Sequence, residues 1–488
     1  MTHLASRSLL LAIALPAAAI FSLDAEAQRV RRAPQTWVQY CQSCHGSTGG
    51  NGSASTLLDD AWTVGSGTDE DLFRAIHDGV PDAGMEAFGP ALSNAEIRGL
   101  VVYIQELRDT HQRGLTPDDN GGSRFSGRKT YTSDHHDFVV EPIYQGLDRL
   151  WAMAVLPHGE WLINERDGDI KRARFNANGR LVVHPDPVAG TPEVRHMGQG
   201  GLLDIVLDPD YDNNGWIYLS YAEPRPLNAN RTKGMTSIAR GRVKDGRWVD
   251  EQVIWQAKDE HFLPTGQHFG SRIAFGPDGM LYFSIGDRGR MEQAQDLGLP
   301  NGKIHRIHPD GRIPEDNPFV NRRNAYPSIW AYGVRNPQGL DFHPTTGLLW
   351  ESEHGPRGGD EINWIRKGLN YGWPVITYGV NYNGTPITDK TDAPGMEQPA
   401  LYYVPSPAFI GIDHYTGDRF PNWRNDLFVS SIASGQVRRV RTDSSGKVLE
   451  DELLFQDQGG LRDIYDAPDG YLYVLTNAGQ VLRIAPAD

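Results

Sequence analysis

From residue 138 onward one pattern of polar and apolar positions recurs along the chain. A turn, often of Pro-Asp-Gly type, leads into a short run of aromatic and β-branched residues, and a second turn follows. The run appears in "LPHGEWLINERDGDIKR" from 156, "LDPDYDNNGWIYLSYA" from 207, "FGPDGMLYFSIGD" from 275, "FHPTTGLLWESEHG" from 342, "FPNWRNDLFVSSIASGQVRRV" from 420 and "DAPDGYLYVLTNAGQVLRI" from 466. Evenly spaced short strands with periodic turn residues predict a β-propeller, here a mainly β domain of six blades over 138–488. A pair of β-sandwiches is the other architecture open to such strands, but it would not need the repeat.

Upstream the period becomes helical. Ser93 followed by Glu96 forms a capping box, and Ile97, Leu100, Val101, Ile104 and Leu107 fall on one face of the helix it starts. The stretch "APQTWVQY" suits a shorter helix before it, which makes 28–109 a small all-α domain. Residues 110–137 lack apolar periodicity and read as a linker, with His135 and His136 a solvated pair rather than metal ligands. At the start, Arg7, the apolar run Leu9 to Ile20 and Ala25-Glu26-Ala27 form a secretory signal over 1–27. That run is short for a bilayer span, and no later stretch is apolar enough for one. The expectation is a periplasmic or secreted protein without a membrane span.

Composition adds two points. Gly (54), Pro (32) and Trp (12) are plentiful, as many strands joined by tight turns require. The formal net charge of -15 argues against non-specific nucleic-acid binding, which needs clustered Lys and Arg.

Chemistry enters with "YCQSCHG" at 40–46, which holds both cysteines of the chain. A disulfide, a zinc ion and a haem are all open to it. Structural zinc wants four protein ligands, and no second Cys or His pair at metal spacing follows nearby. A Cys-x-x-Cys-His run is the attachment pattern of c-type haem. Met85, in a Gly- and Pro-rich loop, could supply a second axial ligand, and Met/His ligation suits electron transfer. With the helix after Ser93, the segment from about 34 to 109 resembles a small class I cytochrome c domain. The resemblance implies Cys41 and Cys44 as covalent haem attachments, His45 as proximal ligand and Met85 as distal ligand.

Four stretches of the β domain are dense in polar residues: "HMGQGGLLDIVLDPDY", "GQHFGSRIAFGPDGMLYFSIGDRGR", "YGVRNPQGLDFHP" and "ESEHGPRGGDEINWIRKGLNYGWP". Loops at one end of a propeller converge on its axis, so residues far apart in sequence can share a pocket. His268 precedes a strand and Asp287 ends the same hairpin. A carboxylate beside an imidazole fixes its tautomer and makes a general base, although a purely structural pair reads the same way. Arg335 and Asn336 suit a carboxylate or carbonyl-rich ligand, or else brace a blade. The loop "GPRGGDE" offers carbonyls and carboxylates of the kind calcium takes, or else is a capped turn.

Together these stretches, with "YTGDRFP", make residues 140–486 similar to the soluble quinoprotein sugar dehydrogenases, six-bladed propellers that bind pyrroloquinoline quinone (PQQ) and calcium. The resemblance implies oxidation of a sugar, with His268 taking the hydroxyl proton, Asp287 orienting it, and hydride passing to the quinone. It implies quinone contacts from Gln199, Arg335, Asn336, Arg462 and Ser406, where the family has Thr. It also implies that the carbonyls of Gly355 and Pro356 hold the quinone's calcium, and that Glu361 and Tyr371 are ligands of a second, structural calcium. Three positions depart from the glucose-oxidising members: Gln267 replaces an acid, Ala433 a Lys and Gly460 an Arg. PQQ carries three carboxylates, so two missing cations imply weaker binding, at about 1.5–3 kcal/mol each, or a cation placed elsewhere. Electrons from the quinone would pass singly to the haem and then to an external acceptor, a soluble cytochrome or the quinone pool. A calcium-dependent lactonase-type hydrolase and a non-catalytic haem-carrying sugar-binding module are the rival readings.

Overall fold

The computed structural model describes residues 31–115 and 125–487, so the signal-peptide reading of 1–27 lies outside the described residues. The N-terminal part is helical. α1 (Ala33–Tyr40), α2 (Gln42–His45), α3 (Asp69–Asp78) and α4 (Asn94–Gln112) enclose a core of Trp37, Leu72, Ile76, Leu92, Ile97, Leu100, Val101 and Ile104. The capping box forms: Glu96 N donates to Ser93 Oγ at 3.3 Å and Ser93 N to Glu96 Oε2 at 3.0 Å. Ile97 and Leu100 are wholly buried, which stabilises by about 1.5–3 kcal/mol each. Leu107, on the same stripe, is only half-buried.

Residues 137–486 form six antiparallel sheets around one axis. Each of the first five is a four-stranded meander, such as 337–342, 349–353, 360–365 and 401–403. The six repeat units of the sequence coincide with the hairpin entering the second strand of each blade. Five of those strands, including Leu281–Ile285, Leu427–Ser431 and Leu472–Thr476, are buried at every position, and the sixth, Ile217–Asn228, over its first seven residues. A strand sandwiched between neighbouring blades is covered on both faces, so it opens on consecutive aromatic and aliphatic residues rather than alternating apolar with exposed polar ones.

The sixth sheet closes the ring. Asp137–Gln145 pairs with the C-terminal strand Gln480–Pro486, and Lys129–Thr132 adds outside it. The stretch 110–137 is therefore not structureless. α4 continues to Gln112, and Phe125 is 3% exposed and exchanges two hydrogen bonds with the Gln480 side chain, at 3.0 and 2.9 Å. His135 and His136 are held in this closure: His135 Nε2 lies 2.9 Å from Glu450, and His136 sits edge-on to Trp423. A polar edge strand carries no apolar stripe, which is why the pattern missed it.

Topology dictates where chemistry gathers. In an antiparallel blade the start of the innermost strand and the end of the second strand share one edge. Gln199, His268, Arg335, Asn336 and Ser406 all precede innermost strands, and Arg462 sits at the start of one. Asp287, Gly355 and Arg166 follow second strands. All nine therefore meet at the same end of the axis. Register shifts at the start of five innermost strands, such as Pro337/Gly339 and Leu461/Asp463, re-aim the side chains there.

Candidate functional site

His268 and Asp287 come together as the hairpin argument required: His268 Nδ1 lies 2.5 Å from Asp287 Oδ1. Asp287 is 1% exposed and His268 8%. Asp287 accepts two further hydrogen bonds, from Gly289 N at 2.7 Å and Trp373 Nε1 at 2.8 Å. With Nδ1–H donated to the carboxylate, His268 Nε2 keeps a free lone pair. His268 stands in the left-handed region at φ +49°, held there by its N–H, which donates to Gln199 Oε1 at 2.6 Å. A residue kept in such a conformation must be over-determined by its surroundings. Gly286 shows how tightly: a Cβ there would lie 2.5 Å from the His268 carbonyl and 2.8 Å from Asn336 Oδ1.

Burial, opposed by Asp287, holds the His268 imidazolium below its ordinary range; the His268 hydrogen bond and charge, with Arg335, outweigh burial and hold Asp287 below the ordinary carboxylate range. At neutral pH the pair is a neutral imidazole beside a carboxylate. Arg288, fully buried over the Phe269 ring, donates to the carbonyls of Gln267, Gly234 and Thr265 and so pins the loop that carries His268.

The other predicted residues divide. Arg335 is 4% exposed, stands over Trp373 and Tyr382, and donates from Nη1 to the carbonyls of His354 and Gly355 at 2.6 Å each. The Gly355 carbonyl is thus shared with Arg335. Asn336 Oδ1 accepts from Gly270 N at 3.2 Å and Gln338 Nε2 at 3.3 Å. Ser406 donates its hydroxyl to Asp360, whose carboxylate also takes Gly355 N and Phe409 N, so these two residues brace the loop. Of the departures, Ala433 and Gln267 are exposed, and the Asn477 amide fills the space beside Gly460.

Sequence reasoning missed Arg166. Its guanidinium reaches the carbonyl of Gly198, beside Gln199, and lies near enough to Arg462 to depress it. Burial, Arg166 and Arg272 push Arg462 down to about 9; Arg462 stacks over Trp151 and donates to Asn477 Oδ1 at 3.2 Å. Among the described residues Arg166, Arg335 and Arg462 have no ion-pair partner, and Arg166 Nε and Arg335 Nε are buried without a hydrogen bond. His354, near both Arg335 and Arg462, has a buried Nδ1 without a partner and is pushed down to about 3 by burial and those cations. Three under-used guanidiniums around one axial site fit a ligand carrying several carboxylates.

A second donor set lies behind the first. Glu353 pairs in register with Glu361, and Glu351 with Asn363. Burial and the charge of Glu361 push Glu351 and Glu353 well up, and burial and Asp360 push Glu361 up to about 7. Glu351 Oε1 and Asn363 Oδ1 are buried without partners. Hard oxygens in want of a cation fit calcium, with Glu361 among them. The Tyr371 hydroxyl is engaged by Trp364 O at 2.6 Å and Arg366 N at 2.8 Å.

In the helical domain Cys41 closes α1, and Cys44 and His45 lie in α2. Both thiols are free, and burial, with Cys44 nearby, pushes Cys41 up to about 12. His45 Nδ1 is buried without a partner, and Met85 packs against the same apolar cluster as Trp37 and Cys41. Two unpaired thiols, an imidazole and a thioether around one apolar core fit a covalently attached haem.

A propeller with a His–Asp pair and cations on its axis, preceded by a helical domain whose Cys-x-x-Cys-His run and Met85 fit a haem, has the parts of a redox enzyme. Residues 147–483 match the glucose/sorbosone dehydrogenase model, and the chain belongs to that family. Residues 28–104 match the model of cbb3-type cytochrome c oxidase subunit III, a cytochrome c domain. The aldose sugar dehydrogenase YliI of Escherichia coli (strain K12) is 40% identical over 356 residues, 71% of this chain and 92% of that protein. Quinoprotein glucose dehydrogenase B of Acinetobacter calcoaceticus is 31% identical over 433 residues, 71% of this chain and 87% of that protein. The PQQ-bound aldose sugar dehydrogenase of Streptomyces coelicolor superposes with a TM-score of 0.56 at 25% identity, covering 74% of this chain and 99% of that one. The chain is a sugar dehydrogenase carrying a cytochrome c domain. Among the described residues no helix is long and apolar enough to cross a membrane.

Proposed function

We propose that this sugar dehydrogenase is an extracytoplasmic, PQQ-dependent quinohaemoprotein that converts an aldose to its lactone. The observation that carries the reading is the convergence of a neutral His268, oriented by Asp287, with three guanidiniums that lack carboxylate partners. Arg166, Arg335 and Arg462 bind the carboxylates of the cofactor, and Gln199 and Asn336 offer amide donors beside them. His268 Nε2 takes the proton of the sugar hydroxyl. Asp287 and Trp373 keep the imidazole in the tautomer and orientation that make this possible. When bound, the quinone accepts hydride and the haem, held by Cys41, Cys44, His45 and Met85, accepts electrons singly. Calcium would be held by the Gly355-Pro356 loop and, separately, around Glu361, Glu351 and Asn363, with Tyr371 beside them but its hydroxyl already bonded.

The test is spectroscopic. With haem oxidised and PQQ and calcium supplied, an aldose is expected to reduce the haem, and His268→Ala to abolish that. A haem that dithionite reduces but no aldose does, with PQQ bound, overturns the reading. Calcium gives a separate prediction. At one hundred times its Kd it is expected to stabilise the protein by about 2.7 kcal/mol, seen as a rise in Tm that Glu361→Gln removes.

A further inference from the structure

The helical domain meets the propeller at several places, Arg113 at the end of α4 pairing with Asp457, and the contact nearest the axial site is with the loop Gly355–Asp360. Glu106, on the face of α4 turned from its core, accepts from Arg357 Nε at 2.7 and 3.0 Å, and from Nη2, in a bidentate pair. Val102, one turn earlier on α4, is 2% exposed, and a Cβ on Gly358 would lie 3.3 Å from its methyls. Ala33 N, at the start of α1, donates to Gly384 O at 3.0 Å. Arg357 is itself fixed, its backbone exchanging hydrogen bonds of 3.0 and 2.9 Å with Val380. It is also the residue after Pro356, so the ion pair stands one residue from the loop that faces the propeller's axial site.

On the helical side the same pair adjoins aromatic rings. Tyr103 feels the charges of both Arg357 and Glu106. Its ring meets Trp37 edge-on at 5.7 Å, and Trp37 lies 6.1 Å from the ring of His45. Trp37 is 1% exposed, so the succession is closed to solvent at its centre. The site loop, Arg357, Tyr103, Trp37 and His45 follow one another from the propeller into the helical domain, Tyr103 one turn of α4 from the Glu106 that holds Arg357.

We propose that the Glu106–Arg357 seam is the electron-transfer contact of the enzyme, holding the haem domain docked on the cofactor loop with Tyr103 and Trp37 between loop and His45. This rests on the proposed PQQ and haem chemistry. Per sugar the contact carries two single-electron transfers. The two hydride electrons leave the reduced quinone one at a time, each converting ferric to ferrous haem, and its two protons pass to solvent. An external one-electron acceptor returns the haem to the ferric state between them. A tether alone gives a high effective concentration but no fixed geometry; the ion pair and the Val102–Gly358 contact supply the geometry.

The test reverses the charges in the full-length holoenzyme. Glu106→Arg and Arg357→Glu, made singly, are expected to enlarge the radius of gyration in small-angle scattering and to slow stopped-flow haem reduction by aldose at least tenfold. The exchanged pair E106R/R357E is expected to restore both. Sugar oxidation with a dye that takes electrons directly from the quinone is expected to stay unchanged in Glu106→Arg. Single reversals that leave scattering and haem reduction as in the wild type overturn the proposal. So does domain separation without slower haem reduction, or a double exchange that rescues neither. Wild-type haem that aldose never reduces overturns the functional reading instead, and the scattering still decides whether the seam docks the domains.

Discussion

Asp287→Asn is expected to lower sugar turnover by about 10⁴-fold, as much as removing the base itself, in a protein that still folds. All three partners of the Asp287 carboxylate are donors: His268 Nδ1, Gly289 N and Trp373 Nε1. Asparagine can present its oxygen to only some of them. If its NH₂ turns to His268, the imidazole must carry its proton on Nε2, where it donates instead of accepting. Such a tautomer error costs about 10⁴-fold in other His–Asp systems, and loss of a general base about 10²–10⁴-fold. The pH profile separates this from a packing defect. The neutral imidazole is the active form, so kcat/KM rises with pH through the His268 ionisation. Burial places that ionisation below the ordinary value of 6.5. Removing the carboxylate that favours the imidazolium moves the acid limb lower still. Dye-linked activity measured across pH checks both statements, and a variant with normal turnover would remove Asp287 from the machinery.

What the sequence disclosed follows from burial. The second strand of each blade is covered on both faces for most of its length, so six short runs opening on consecutive aromatic and aliphatic residues, each preceded by a turn, were enough to count blades. The closing strand Lys129–Thr132 alternates half-buried and exposed residues and carries no comparable run. It pairs with its neighbour Asp137–Gln145, whose own place depends on pairing with Gln480–Pro486, more than three hundred residues away, which no local pattern encodes. The His268–Asp287 pair was legible because one hairpin joins the two residues. Trp373 and Arg288 lay inside stretches already singled out for their polar density, but a buried indole donor and a buried guanidinium look like ordinary packing until their partners are seen. Ser406, matched by position to a cofactor contact, donates its hydroxyl to Asp360, a partner local sequence did not announce.

Arg166 bears most directly on the cations missing at Ala433 and Gly460. The loop Glu165-Arg166-Asp167-Gly168-Asp169 is rich in carboxylates, and a guanidinium there reads as one member of a surface ion-pair network. The structure instead gives Lys171 to Glu165 and Asp169, and turns Arg166 inward to Gly198 and Arg462. A half-buried guanidinium beside a buried one is costly without anions. Burial and Arg149 depress Arg166, and burial, Arg166 and Arg272 push Arg462 down to about 9. A carboxylate-bearing ligand relieves that cost, so each cation is expected to contribute a charge-assisted bond of about 1.5–3 kcal/mol. Arg166→Gln and Arg462→Gln are therefore expected to weaken PQQ binding by roughly 10- to 150-fold each. The double variant should fall short of the product, because neighbours that share one ligand are not independent. Arg149→Gln, at an exposed position beside Arg166, should change affinity much less. Titration of the PQQ-free protein in calcium, followed by the fluorescence of Trp151 and Trp373, reads these affinities without turnover. If Arg166→Gln binds PQQ as the wild type does, the charge lost at Ala433 and Gly460 is not replaced from this loop. If both single variants weaken binding and Arg166→Lys recovers part of it, the site has moved a cation from the last blades to the first.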